Sequence, residues 1–372
     1  MTAILQFLYD YPFLFAAITA ALGAVFMPTV IRVAREKKFV VKPNKRTSHI
    51  GLVPAVGGLD IFISFLIFFV IFAFNHLPQS HYLLVGVTLI LITGFVDDLI
   101  DLTVVGKLFG ELLAGIFLIV LADVRMPSLF GMFGIGELPL VWSYVCSLAT
   151  FIVITNALNL IDGVDGLASG LGMLYCCVFA LYFQQVGEPE TAMLCYALLG
   201  ALAVSFCYNV FGGSRRKIFM GDSGSLLLGF MMSWFVFRFM QINALPTTPA
   251  VWRWQATPAV AFCVLFVPLF DTLRVMLTRI KKRKSPFSAD RNHIHHLLLC
   301  LGLQHRQVTG VLLGVSLLFV ALAYVGRMWR NEILLLVAFA VGTALILLVW
   351  RLVDRKRRQT ENLKTKQSNI ES

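Results

Sequence analysis

The sequence predicts an all-α polytopic membrane protein of about eleven transmembrane helices, with its N-terminus outside and its C-terminus inside. Three observations predict this. AVILMFWYC make up 58% of the 372 residues and DEKR only 14%, against roughly 45–50% and 25% in soluble domains. So few polar residues cannot cover a water-facing surface, which excludes an ordinary soluble enzyme, a disordered chain and a coiled coil. The apolar residues fall in eleven continuous runs rather than alternating, so helices and not a barrel would span the bilayer. Lys and Arg divide very unequally between the two sets of connecting segments, which sets the orientation.

A spanning helix needs about 20 mostly apolar residues. The runs lie at about 11–32, 56–76, 82–98, 108–122, 140–158, 167–184, 191–210, 223–241, 256–279, 308–326 and 332–351, the third and fourth being short. The first run lacks a basic leader, and the Arg/Lys cluster follows it, so it reads as a span and not a cleavable signal. With the N-terminus outside, 26 Lys and Arg fall on the inner side and five on the outer. Residues 1–355 form one membrane-embedded domain, and 356–372 a polar, disordered inner tail. The outer segment 123–139 has the Gly and Pro content of a short hairpin, and Trp252 and Trp254 suit an interfacial belt. The seven cysteines form no CxxC or spaced ligand set, so neither disulfides nor zinc are indicated. The net charge of +11 reads as a face meeting anionic lipid, not nucleic acid.

The acids carry the chemistry. Eight of the twelve Asp (97, 98, 101, 162, 165, 222, 271 and 290) map to the inner ends of spans or to inner loops. Acids gathered among basic loops suggest a divalent cation and a phosphate-bearing substrate. In TGFVDDLIDL, Asp97 and Asp98 are neighbours, and Asp101 shares a helix face with both. Close carboxylates repel unless a cation or proton intervenes, which suits a general base or a metal ligand. In TNALNLIDGVDGLASG, Asn156, Asn159, Asp162 and Asp165 recur every three residues as one polar stripe, with Gly163 and Gly166 allowing close approach.

In GGSRRKIFMGDSGSLLLG, Arg215, Arg216 and Lys217 suit a phosphate clamp, and Asp222 is a metal ligand or an N-cap. In SPFSADRNHIHHL, His293 and His296 share a face and His295 turns away, with Arg291 beside them. The histidine spacing alone would allow zinc, but the surrounding oxygen donors favour Mg²⁺. The first inner loop carries Lys45, Arg46 and His49 ahead of Gly57 and Gly58. Asp60 and Glu111 lie deeper in their spans and would pair internally.

Taken in order, these five segments resemble the polyprenyl-phosphate N-acetylhexosamine-1-phosphate transferase family over residues 40–305, most closely its undecaprenyl-phosphate GlcNAc-1-phosphate transferases. The contiguous histidine triplet of the phospho-MurNAc-pentapeptide branch is replaced here by His293, His295 and His296. The resemblance implies Asp97 and Asp98 near Mg²⁺ and the lipid phosphate, and Asn159, Asp162 and Asp165 at nucleotide-sugar and metal. It implies Asp222 as the metal-binding acid, with Asn159 beside it. His293, His295 and His296 would sit near diphosphate and sugar with Arg291, and Lys45 and Arg46 in the basic stretch before the Gly-Gly. Val41 stands where similar enzymes carry an Asp, and Ala55 where the MurNAc-pentapeptide branch has a Thr.

The implied reaction transfers N-acetylhexosamine-1-phosphate from a UDP-sugar to undecaprenyl phosphate, releasing UMP. GlcNAc is the expected sugar, with GalNAc or MurNAc-pentapeptide as alternatives. The implied cofactor is Mg²⁺, with Mn²⁺ as an alternative. The setting would be a bacterial inner membrane with the site on its cytoplasmic face and a homodimer as the candidate assembly. Direct attack by the lipid phosphate and a two-step route through an aspartyl-phosphate both remain open. A secondary transporter would also have many spans and acids, but it would place them near the midplane with repeat symmetry.

Overall fold

The computed structural model describes residues 2–37, 39, 53–283 and 292–371. Every named element among them is helical. Helix α1 (Thr2–Asp10) precedes α2 (Phe13–Glu36). Helix α3 (Gly57–Phe68) runs on as a π-turn through Ala73. Then come α4 (Ser80–Ile100) and α5 (Val104–Ile116), the latter extended by a π-turn to Leu121. Next are α6 (Leu140–Ile161), α7 (Leu167–Gln185), α8 (Pro189–Phe211), the short α9 (Gly213–Arg216) and α10 (Gly221–Ala244). The chain ends with α11 (Thr257–Val264), α12 (Phe266–Lys281), α13 (Ile294–Cys300), α14 (His305–Gly326) and α15 (Asn331–Glu371).

Nine described helices are long and apolar enough to cross a bilayer, and the pair α11–α12 makes a tenth if counted as one span. The second expected span is a shorter apolar helix, Gly57–Ala73. The ninth does not run straight: α11 and α12 meet at an 88° bend. Thr257, Pro258 and the break at Leu265 leave α11 only eight residues long. The hairpin expected over 123–139 is present. Ser128 and Glu137 pair antiparallel, and the Leu129 and Leu138 amides donate to the Gly136 and Pro127 carbonyls.

Helix α10 is the axis of the bundle, with most of its residues buried from Ser223 to Asn243. In lipid, helices gain little from excluding water, so association rests on close van der Waals contact between small residues. Gly58 meets Gly224 so closely that a β-carbon at 58 would lie 2.2 Å from the Gly224 nitrogen, and one at Gly94 would lie 2.5 Å from Ser223 Cα. Away from this end the seams are aromatic, as where Phe230 packs edge-on to Phe151 at 5.8 Å. One strand-like link joins two distant motifs. Ala55 and Phe219 form a parallel bridge, and the Gly57 and Gly58 amides donate to the Phe219 and Met220 carbonyls at 2.9 Å. The Gly-Gly at the start of α3 is thereby fixed against the loop that starts α10.

Candidate active site

Four helix ends meet at one end of the bundle: the C-termini of α4 and α6 and the N-termini of α5 and α10. Asp98, near the end of α4, accepts the Asp222 and Ser223 amides at 2.7 and 3.0 Å. Its carboxylate thus caps α10 from another helix, satisfying first-turn amides and meeting the positive end of the dipole. Gly221 makes this approach possible. Its φ is +74°, and a β-carbon there would lie 2.7 Å from Asp98 Oδ2.

Asp97 points to different partners. Its Oδ1 accepts the Leu102 amide at 2.7 Å, and its Oδ2 lies 2.9 Å from Lys107 Nζ. Lys107 sits in the first turn of α5 and is the residue that sequence reasoning missed. Its ammonium also lies 3.1 Å from Asp222 Oδ1 and donates to Asn159 Oδ1 at 2.9 Å. Asn159 in turn donates to Asp222 Oδ1 and, at 2.8 Å, to Ser225 Oγ. One cationic nitrogen therefore gathers three side-chain oxygens from three elements. The signal for it is a single lysine at the head of a run whose one other charged residue is Glu111.

Two expectations about spacing fail here. Asp101 does not share a face with Asp97 and Asp98, because α4 ends at Ile100 and Asp101 adopts the left-handed conformation at φ +51°. The Asn156-to-Asp165 stripe does not continue either, because α6 ends at Ile161. Asn156 serves a buried pair instead, donating to Glu111 Oε2 at 2.6 Å. The expected internal partner of Asp60 is missing: among the described residues neither of its carboxylate oxygens has a hydrogen bond.

Asp162 and Asp165 lie in the turn between α6 and α7. Burial pushes the Asp162 carboxyl up to about 8, and the neighbouring Asp222, Asp98 and Asp165 add to the rise. Burial also acts on Asp165, but the His305 ring and the Lys217 ammonium outweigh it and hold that carboxyl below its usual range. Lys217 Nζ is 2.7 Å from Asp165 Oδ2. Lys217, expected in a phosphate clamp with Arg215 and Arg216, is thus paired with Asp165, while the two arginines are exposed on α9. Asn209 ties the turn down by accepting the Gly166 amide and donating to the Ile218 carbonyl at 2.6 Å.

The histidines border this turn. His295 does not turn away. It is 1% exposed, stacks on His293 with ring centroids 5.8 Å apart, and lies against Gly163. A β-carbon at 163 would be 2.5 Å from His295 Nε2, so the glycine admits the ring. Burial pushes the His295 ring down to about 3, with His296 adding to the effect, which keeps it neutral. His293 stands at the N-cap position of α13, and its Nδ1 is 2.8 Å from Asp271 Oδ2. His296, on the next turn position, lies with its ring 4.3 Å from that of His295. Lys45, Arg46, His49, Asp290 and Arg291 fall outside the described residues.

Among the described residues no three His, Cys, Asp or Glu side chains form a ready-made metal cage. Oxygen donors from α4, α6 and α10 nevertheless converge, and a side-chain cation already bridges Asp97, Asn159 and Asp222. A hard divalent cation suits that donor chemistry.

The glycosyl transferase family 4 profile matches residues 80–240, the stretch holding α4 to α8 and most of α10. The chain is 31% identical over 356 residues to the undecaprenyl-phosphate alpha-N-acetylglucosaminyl 1-phosphate transferase of Yersinia pestis, covering 91% of this chain and 94% of that relative. The protein of the same name from Escherichia coli strain K12 is 29% identical, with 88% and 90% covered. The decaprenyl-phosphate N-acetylglucosaminephosphotransferase of Mycobacterium leprae is 29% identical, with 78% of each chain covered. With its acids on the helices that this profile spans, and with that identity running almost end to end, the chain belongs to glycosyl transferase family 4.

Proposed function

We propose that the protein transfers GlcNAc-1-phosphate from UDP-GlcNAc to undecaprenyl phosphate at the cytoplasmic face of a bacterial inner membrane. The observation that carries this is the Asp97–Asp98–Lys107–Asn159–Asp222 cluster at one end of an apolar bundle. The same end holds basic residues: Arg35 and Lys37 at the end of α2, Arg216 and Lys217 after α8, and Arg279 and Lys281 at the end of α12. By the positive-inside rule that end faces the cytoplasm, which leaves the N-terminus outside and the C-terminus inside.

Both reactants are anionic, and one is dissolved in lipid. A site at the helix ends lets a polyprenyl chain stay in the bilayer while its phosphate meets the diphosphate of a water-borne donor. In the direct reaction an oxygen of the lipid phosphate attacks the β-phosphorus of the donor. The bond from that phosphorus to the bridging oxygen breaks, and UMP leaves with the electron pair. Asp98 is held as an acceptor by two amides, so it orients the cluster. Asp97 has one oxygen on the Leu102 amide and the other facing a movable ammonium, and that second oxygen takes the proton of a monoprotonated lipid phosphate. Lys107 then turns its charge to the phosphates it faces. Asp162 and Asp165 border the donor, with neutral His295 packed behind the Gly163 turn.

Asp222, Asn159 and Asp98 would hold Mg²⁺, which neutralises diphosphate charge when bound. Lys45, Arg46 and Arg291 would add donor contacts, with His293 and His296 at the diphosphate and sugar. The test is UMP release by the purified protein, measured with a panel of UDP-sugars with and without undecaprenyl phosphate. Lipid-dependent release with UDP-GlcNAc, and a product of matching mass, is the expected result. A covalent enzyme–phosphosugar adduct trapped in the absence of lipid would replace the direct route by the two-step one.

A further inference from the structure

Asp271 lies on α12, six residues past the break at Leu265 where the chain bends by 88°, and is 2% exposed. A carboxylate this deep is costly unless its oxygens are filled. They are filled by three donors. His293 Nδ1 lies 2.8 Å from Oδ2, while Arg274 Nη2 and the Ile294 amide donate to Oδ1 at 2.7 and 3.0 Å. Two of the three come from the entry to α13, and Arg274 reaches the same entry again through the Asn292 carbonyl. The carboxylate thus fastens the residues that begin the histidine helix to a spanning segment, with His293 standing 22 residues from Asp271 in sequence.

We propose that Asp271 is a positioning residue for His293: it holds the imidazole with the proton on Nδ1 and leaves Nε2 as the nitrogen offered to substrate. The argument rests on three features. A carboxylate has only acceptor oxygens, so the ring nitrogen beside it must carry hydrogen. The orientation of the ring is fixed a second time by parallel stacking on His295, at 7° between planes. His295 is in turn lodged against Gly163, so the dyad is registered to the Asp162–Asp165 turn and not to solvent. A carboxylate fixing the tautomer of a working histidine through its second nitrogen is a general device. The inference rests on the transferase reading only for what Nε2 would touch.

The test uses the full chain in lipid nanodiscs. In wild-type protein labelled with ¹⁵N-histidine, His293, identified by the resonance that His293→Gln removes, is expected as the Nδ1–H tautomer or as imidazolium. In Asp271→Asn that ring signature changes, and kcat for UMP release falls roughly 10- to 100-fold. The double variant Asp271→Asn/His293→Gln is no slower than His293→Gln alone. A wild-type His293 with a bare Nδ1 overturns the proposal without any variant needing to fold. So does a double variant whose loss is the product of the two single losses, since a mere structural staple would act independently of the ring. If wild-type protein releases no UMP the transferase reading fails, and the tautomer measurement still decides this proposal.

Discussion

The Asp98 carboxylate fills the space where a β-carbon at position 221 would stand, with Oδ2 2.7 Å from that point. The two residues are far apart in sequence, yet the absence of a side chain at one is the condition for the placement of the other. The capping of α10 by α4, and with it the approach of Asp222 to Lys107, depends on that vacancy.

Gly221→Ala should therefore cost more than its backbone strain. A left-handed φ of +74° costs an alanine roughly 1–2 kcal/mol, and the methyl group also displaces Asp98. UMP release is expected to fall at least about tenfold, more than the strain alone predicts if the cap orients the cluster. Gly213→Ala is the control. Its φ is +57°, but a β-carbon there meets nothing within 4 Å, so its rate should stay near wild type in the same assay.

Lys107→Met leaves Asp97 and Asp222 facing each other without their shared cation. Breaking a buried pair costs about 3 kcal/mol, and less here because Asp222 is 36% exposed. The thermal unfolding midpoint should drop by several degrees, and saturating Mg²⁺ should restore part of it. An unchanged midpoint would mean that the ammonium does not neutralise the acids.

Asp162 gives the pH dependence its sign. Its folded-state carboxyl titrates at about 8, whereas an unfolded one titrates near the ordinary value of about 4. The folded chain thus holds this proton more tightly. The stability it contributes is complete below about pH 4 and is lost as the pH rises through about 8. Cation or donor binding that needs the carboxylate should release a proton at pH 7 and tighten up to about pH 8. Calorimetry of Mg²⁺ binding in two buffers of different ionisation enthalpy measures that proton, and Asp162→Asn should abolish it.

Chelation with EDTA should stop turnover and Mg²⁺ should restore it, while Zn²⁺ alone should not, given the oxygen donors. Asp222→Asn should abolish turnover while leaving expression and membrane insertion intact. Near-native UMP release by that variant would remove Asp222 from the metal assignment.

Much of this was legible in the sequence. Apolar runs of bilayer length announce helices, so the spans and their order could be read directly, and the acids stood out against so little polarity. What could not be read was where each helix stops. Counting along the sequence puts Asp101, Asp162 and Asp165 on helix faces, but the chain leaves the helix at Ile100 and Ile161, and a side chain beyond a terminus obeys no 3.6-residue period. Lys107 was invisible for a different reason. Its three partners lie on three elements, and no spacing along one strand of sequence encodes a meeting between helices. The inward turn of His295 is not encoded in its own helical spacing, because the room for its ring is made by Gly163 on a neighbouring turn.

The contact of Gly58 with Gly224 and of Gly94 with Ser223 has a consequence for how such an enzyme can diversify. Both seams lie within a turn of Asp222, and in both a glycine meets backbone atoms of α10 directly. A change of donor would therefore have to be met by the loops around these helix ends. The spacing of the three helices beneath them admits no enlargement, so novelty in this architecture must come from the rim while the foundation stays the same.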